Sequence, residues 1–138
     1  MKKTESPESL NITRGKLRRR ILIVEDDKFL LNAYRVKLQK SGFEIKIAMD
    51  GEEAIEALKG YTPDLILLDL ILPKKDGFAV LEELKTNENW GKIPVLIASN
   101  LGQKEDLDRG MALGAKDFVV KTDLSLDDLV KKINSFLE

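Results

Sequence analysis

Five short runs of strand-forming apolar residues alternate with five stretches whose apolar residues recur at helical spacing, and only turn-length punctuation separates them. Residues 21–24, Ile-Leu-Ile-Val, lead into Phe29, Leu30, Ala33, Val36 and Leu38, with Asp27 placed to cap this helix and Gly42 to stop it. Residues 43–48 alternate apolar and polar as a short strand, and Asp50-Gly51 turns into a helix carrying Ala54, Ile55 and Leu58, closed by Gly60. Pro63 precedes a strand over 64–68, and Asp76-Gly77 opens a helix with Phe78, Val80, Leu81 and Leu84. Pro94 precedes a strand over 95–98, and a helix around 107–113 ends at Gly114. The strand 117–120 follows, and Ser125 caps a last helix with Leu129, Val130, Ile133 and Leu137. Right-handed crossovers leave such a chain few packings other than a parallel sheet covered by helices on both faces. A closed eight-stranded barrel needs a much longer chain than 138 residues.

The expected fold is therefore α/β, a flavodoxin-like (βα)5 three-layer sandwich with strand order 2-1-3-4-5. In that order strands one and three are neighbours, and ligands bind beyond their C-terminal ends. Two apolar runs end there in acids: residues 21–24 run into Glu25-Asp26-Asp27, and residues 65–68 run into Asp69. Glu25, Asp26 and Asp69 would converge on one edge, and such a cluster repels itself unless something positive sits in it. We read it as a divalent-cation site around one reactive aspartate. Strands four and five deliver Ser99 and Lys121 to the same edge, so a hydroxyl and an amine flank the carboxylates. Asp27 reads as a helix cap, and Asp76-Gly77 as a helix start with no chemistry of its own.

Composition closes off other chemistries. The chain has no cysteine and no histidine, which removes disulfides, thiolate zinc sites, thiol nucleophiles, imidazole ligands and Ser-His triads. No apolar stretch reaches the about 18 residues of a membrane span, and the N-terminus lacks the apolar core of a secretory signal. A cytoplasmic location is the expectation. Residues 1–20 hold seven Lys/Arg against Glu5 and Glu8, a formal +5, which leaves −6 on the rest of a chain whose net charge is −1. The expected organisation is a basic arm over residues 1–19 without regular structure, followed by one folded domain over 20–138.

Four segments in order carry a resemblance: Ile23-Val24-Glu25-Asp26-Asp27, the run 69–77 from Asp69 through Pro73 to Asp76-Gly77, Pro94 through Ser99, and Phe118-Val119-Val120-Lys121. Over about residues 20–137 the chain resembles a response-regulator receiver domain of two-component signalling, of the single-domain CheY-like kind. The resemblance implies that Asp69 accepts a phosphoryl group from a sensor histidine kinase or a histidine phosphotransfer protein. It implies a Mg2+ ion held by Glu25, Asp26, Asp69 and the backbone carbonyl of Ile71. Ser99 would hydrogen-bond the phosphoryl group, Lys121 would pair with it, and Ser99 with Phe118 would form the switch that changes the fourth and fifth helix face for a downstream protein. A hard cation taking six oxygens suits such a donor set, and its charge would let one carboxylate approach a phosphoryl donor against its acidic neighbours.

The sequence departs from the family pattern after Lys121, where many receivers have proline in a cis peptide and this chain has Thr122. A non-proline cis bond costs about 3 to 4 kcal/mol, so the lysine has a different backbone route open to it. Asn100 and Ile71 are expected together to restrict attacking water and slow dephosphorylation. No output module follows the last helix, so a single-domain regulator is expected: a self-phosphorylating switch, not a multiple-turnover enzyme. The alternative is a pseudo-receiver that is never phosphorylated and serves as an interaction scaffold. A metal-dependent aspartyl phosphatase would want a second acid two residues after the nucleophile, where Ile71 stands. No membrane contact is expected, and nucleic acid only through the basic arm, whose affinity would fall steeply with salt.

Overall fold

A computed structural model describes residues 18–100 and 104–137. The basic arm expected over 1–19 lies, apart from Arg18 and Arg19, outside the described residues. In chain order the elements are β1 (Arg20–Val24), α1 (Lys28–Lys40), β2 (Glu44–Ala48), α2 (Gly51–Leu58), β3 (Leu65–Asp69), α3 (Gly77–Thr86), β4 (Val95–Ser99), α4 (Lys104–Ala112), β5 (Asp117–Val120) and α5 (Leu126–Leu137). The strands form one parallel sheet in the order β2-β1-β3-β4-β5, as the alternation of elements predicts. β3 and β4 are buried along their whole length, which is what unbroken apolar runs require of strands covered on both faces. β2, at one edge, leaves Glu44, Lys46 and Ile47 exposed.

Strand alternation divides the core in two. Ile21, Ile23, Leu65, Leu67, Leu96, Ala98 and Val119 face α1 and α5, where Leu31, Tyr34, Leu38, Leu129 and Ile133 meet them. Leu22, Val24, Ile66, Leu68, Val95 and Ile97 face the other way, against Ala54 and Leu58 of α2, Val80, Leu81 and Leu84 of α3, and Leu107 of α4. Each fully buried Leu or Ile contributes about 1.5–3 kcal/mol relative to exposure, so both layers contribute to holding the sheet between them. α4 is the lightest attached of the five helices: it buries only Leu107 and Gly110. A Cβ at Gly110 would stand 2.4 Å from Ile97 Cδ1, so the absence of a side chain there sets how closely α4 approaches β4.

The helix starts follow the capping expectations. Asp27 accepts from the backbone N–H groups of Phe29 (2.9 Å) and Leu30 (3.1 Å). Asp50, Asp76 and Ser125 cap α2, α3 and α5 by accepting from Glu53 (2.8 Å), Ala79 (2.9 Å) and Asp128 (3.0 Å). Gly42 and Gly114, placed as helix stops, hold φ of +100° and +112°. The face of α1 corrects the sequence reading: Phe29 is 88% exposed, and Val36 is exposed as well. The buried stripe runs through Leu31, Tyr34 and Leu38, spaced three and four residues apart, and Phe29 falls outside it. Strand and helix bounds otherwise move by one to three residues; Asp69 and Ser99 close β3 and β4 instead of following them. Among the described residues no helix is long and apolar enough to cross a membrane.

Candidate functional site

The C-terminal ends of β1, β3, β4 and β5 open on one edge of the sheet, and the side chains arriving there obey the strands' two-residue period. Glu25 continues the parity of Ile21 and Ile23, Asp69 that of Leu65 and Leu67, and Lys121 that of Val119, so all three leave on the α1/α5 side. The ladder continues past the strand ends and carries this parity with it: Glu25 N–H donates to the Ala48 carbonyl (3.0 Å), and Lys121 N–H to the Ser99 carbonyl (2.6 Å). Ser99 and Phe118 have the opposite parity. They share the α2/α3/α4 side, with Ser99 registered beside Val120 and Phe118 half-buried against that core.

On the α1/α5 side a cation and two acids meet at the surface of the core. Lys121 Nζ lies 2.8 Å from Glu25 Oε1 and 3.2 Å from Asp69 Oδ2, with all three side chains less than 10% exposed. The carboxylate oxygens of Glu25, Asp26 and Asp69 come within 4.8 Å of one another, Asp26 from the exposed rim. Burial raises the Glu25 pKa above the usual carboxylate value; the Asp69 charge adds to this, while Lys121 and the Asp27 N–H act the other way. Burial also works against the Lys121 charge, but Glu25 and Asp69 overcome it and hold the ammonium pKa above the lysine norm. One positive charge therefore serves three carboxyl groups, which leaves the edge acidic.

The donor set fits a hard divalent cation. It offers only oxygens, with Glu25 Oε1 buried and engaged by the Lys121 ammonium at 2.8 Å. Three carboxyl groups against one ammonium leave an excess of negative charge that a second cation would relieve. The remaining oxygens are braced by the backbone. Asp27 N–H donates to Glu25 Oε2 (3.1 Å), and Ile71 N–H donates to Asp69 Oδ1 (3.2 Å). Ile71 itself is 55% exposed, on the loop that follows Asp69.

Of the residues named from sequence, the structure brings Glu25, Asp26, Asp69 and Lys121 together on one side, with the Ile71 backbone beside them. It places Ser99 at the same edge, 1% exposed, on the other face with Phe118. Among the described residues no peptide is cis, so the Lys121-Thr122 bond is trans and the amine still reaches both acids. Gly77, read only as a helix start, has a second role: a Cβ there would stand 2.5 Å from the Asp69 carbonyl oxygen and 2.5 Å from Leu70 Cα. The close approach of α3 to the peptide after Asp69 requires a residue with no side chain, and spacing alone offers no signal of that. Asp50 also gains a role beyond capping, because its buried carboxylate lies 3.6 Å from Lys74 Nζ in the loop after β3.

Comparison with known proteins agrees with this geometry. The family model for the response regulator receiver domain matches residues 21–134. The DNA-binding dual master transcriptional regulator RpaA of Synechocystis sp. is 35% identical over 118 residues, covering 86% of this chain and 48% of RpaA. The alkaline phosphatase synthesis transcriptional regulatory protein PhoP of Bacillus subtilis is 33% identical over 105 residues, covering 76% of this chain and 43% of PhoP. The chain thus spans about half the length of these curated relatives. Among solved structures, the CheY-like response regulator receiver domain protein of Methanospirillum hungatei superposes with a TM-score of 0.80 at 26% identity, covering 88% of this chain and 94% of that one.

Proposed function

The chain belongs to the response-regulator receiver domain family of two-component signalling, and from that membership we propose that Asp69 is the phosphoacceptor of a phosphorelay. The observation that carries the reading is the buried Asp69 carboxylate, held at Oδ1 by Ile71 N–H and at Oδ2 by Lys121, with two further acids within reach of a shared cation. A carboxylate oxygen of Asp69 attacks the phosphorus of a phosphohistidine on a sensor histidine kinase or histidine phosphotransfer protein. The P–N bond breaks, its electron pair returns to the imidazole nitrogen, and the product is an acyl phosphate. Glu25, Asp26, Asp69 and the Ile71 carbonyl would hold Mg2+, which when bound supplies positive charge to phosphoryl oxygens. Lys121 pairs with those oxygens from the α1/α5 side.

Ser99 and Phe118, on the opposite face, carry the state of Asp69 to α4 and α5, where a downstream protein reads it. The chain takes up its own phosphoryl group and is not a multiple-turnover enzyme. Its chemistry fits the cytoplasm, where the donor kinases make phosphohistidine from ATP. Incubation with Mg2+ and a small acyl phosphate, followed by intact mass measurement, tests the reading: one phosphoryl adduct is expected, absent in Asp69→Asn. No adduct in the native chain would favour an unphosphorylated scaffold, and continued hydrolysis of the donor over many turnovers would favour a phosphatase.

A further inference from the structure

Beneath Lys121, on the α1/α5 side of the sheet, lies a cavity of about 100 Å³. Its wall is more apolar than polar: Leu30 and Tyr34 come from α1, Val119 from β5, Leu124, Ser125 and Leu129 from the α5 side, and Lys121 itself lines it. A lysine stem has four methylenes and many accessible rotamers, so it holds one direction only where walls remove the alternatives. The ion pairs to Glu25 and Asp69 fix the ammonium end but not the path of the stem. Tyr34, the one aromatic residue lining the cavity, is 7% exposed and packed into the core on that face.

We propose that Tyr34 is a positioning residue for Lys121, its ring bounding the cavity beside the stem so that the stem cannot swing away and the ammonium stays aimed at Glu25 and Asp69. The inference rests on the reading of Lys121 as the cation that meets phosphoryl oxygens. The ring acts by its bulk. Burial pushes the Tyr34 hydroxyl pKa up, with the Lys121 charge pulling the other way and the Glu25, Asp69 and Asp27 charges adding to the rise, so the phenol stays neutral. Without the ring the cavity grows by about a phenol ring, water reaches the amine, and the stem gains orientations that miss both acids.

Two readouts test this, the first in metal-free protein with no phosphoryl donor. Acylation of Lys121 by an amine-reactive ester, followed by peptide mass spectrometry and scaled to exposed Lys46, should be slow in the native chain. It should rise about tenfold in Tyr34→Ala and stay within about twofold in Tyr34→Phe, because only the ring is needed to wall the stem. The second is the rate of phosphoryl uptake at saturating Mg2+, expected to fall about tenfold in Tyr34→Ala with its Mg2+ dependence unmoved, as loss of aim without loss of a ligand requires. Where Tyr34→Ala does not melt cooperatively, Tyr34→Leu, which keeps helix packing and lacks the outer ring, takes its place. Unchanged protection of Lys121 in a folded Ala or Leu variant overturns the proposal, even if the native chain is phosphorylated. Lost protection in a chain that takes up no phosphoryl group supports the positioning role and overturns the phosphoacceptor reading instead.

Discussion

Replacing Lys121 by methionine keeps the stem and deletes the charge, which isolates what the ammonium does for the two buried acids. At an effective dielectric of about 20, its attraction is about 6 kcal/mol to Glu25 at 2.8 Å and about 5 kcal/mol to Asp69 at 3.2 Å. Desolvation of the three groups cancels much of that, and stripping one partner from a buried pair costs about 3–5 kcal/mol. We expect Lys121→Met to lose about 3 kcal/mol at pH 8 without metal, since Glu25 relieves part of the repulsion by taking up a proton. With an m-value of about 1.5 kcal/mol per molar, that moves the urea midpoint down by about 2 M. The sign of the pH dependence follows from the same groups. In the variant, burial and carboxylate repulsion act on Glu25 against the Asp27 N–H alone, so the folded chain binds a proton more tightly than the unfolded one. Its stability falls as pH rises from the ordinary value of 4.5. The raised pKa of Lys121 in the native chain adds stability that is fully present below the ordinary lysine value of 10.5 and lost above it. The gap between native and variant should therefore widen from pH 5 to pH 8, and Mg2+ should narrow it by replacing the missing charge. Urea unfolding at both pH values, with and without Mg2+, measures all three effects. A loss under about 1 kcal/mol at pH 8, or one that does not change with pH, would refute the account of Lys121 as the charge that holds this cluster together.

Asp27→Ala removes two accepted hydrogen bonds at the start of α1 and should cost about 1 kcal/mol in urea unfolding. Gly77→Ala forces a methyl to within 2.5 Å of backbone atoms that cannot swing away, and should cost about 2 kcal/mol or more. It should also slow phosphoryl uptake, because relief requires α3 to withdraw from the peptide after Asp69. Ile71→Ala with Asn100→Ala, both exposed at the mouth of the site, should shorten the phosphoryl lifetime by several fold, followed as decay of the adduct by mass. An unchanged lifetime removes the idea that the two residues limit attacking water.

The sheet was readable because its central strands are unbroken apolar runs: Leu65 through Leu68 and Val95 through Ala98 have no other place in a chain of this length than a strand buried on both faces. Asp69, Glu25 and Lys121 were readable for the same reason, as polar residues at the ends of such runs. What spacing did not reveal is what depends on phase and contact. Phe29 and Leu31 are both apolar near the start of α1, and only docking on the sheet decides that Leu31 goes in and Phe29 stays out. The division of Ser99 from Asp69 depends on counting parity from residues whose face the topology sets. The close packing at Gly77 and Gly110 depends on where two elements touch, which a one-dimensional pattern does not contain.

The light attachment of α4 bears on how the molecule breathes. A helix that buries only Leu107 and Gly110, with Arg109 lying over the Phe78 ring, opens at a lower free energy than the strands beneath it, so its amides should exchange with solvent hydrogen well before those of β3 or β4. The side chains of Glu25, Asp69 and Lys121 leave the sheet on the opposite layer and do not pack under α4. Thus α4 can loosen and re-form many times while the ion pairs among them stay in place, and Ser99 and Phe118 remain the link between the two faces.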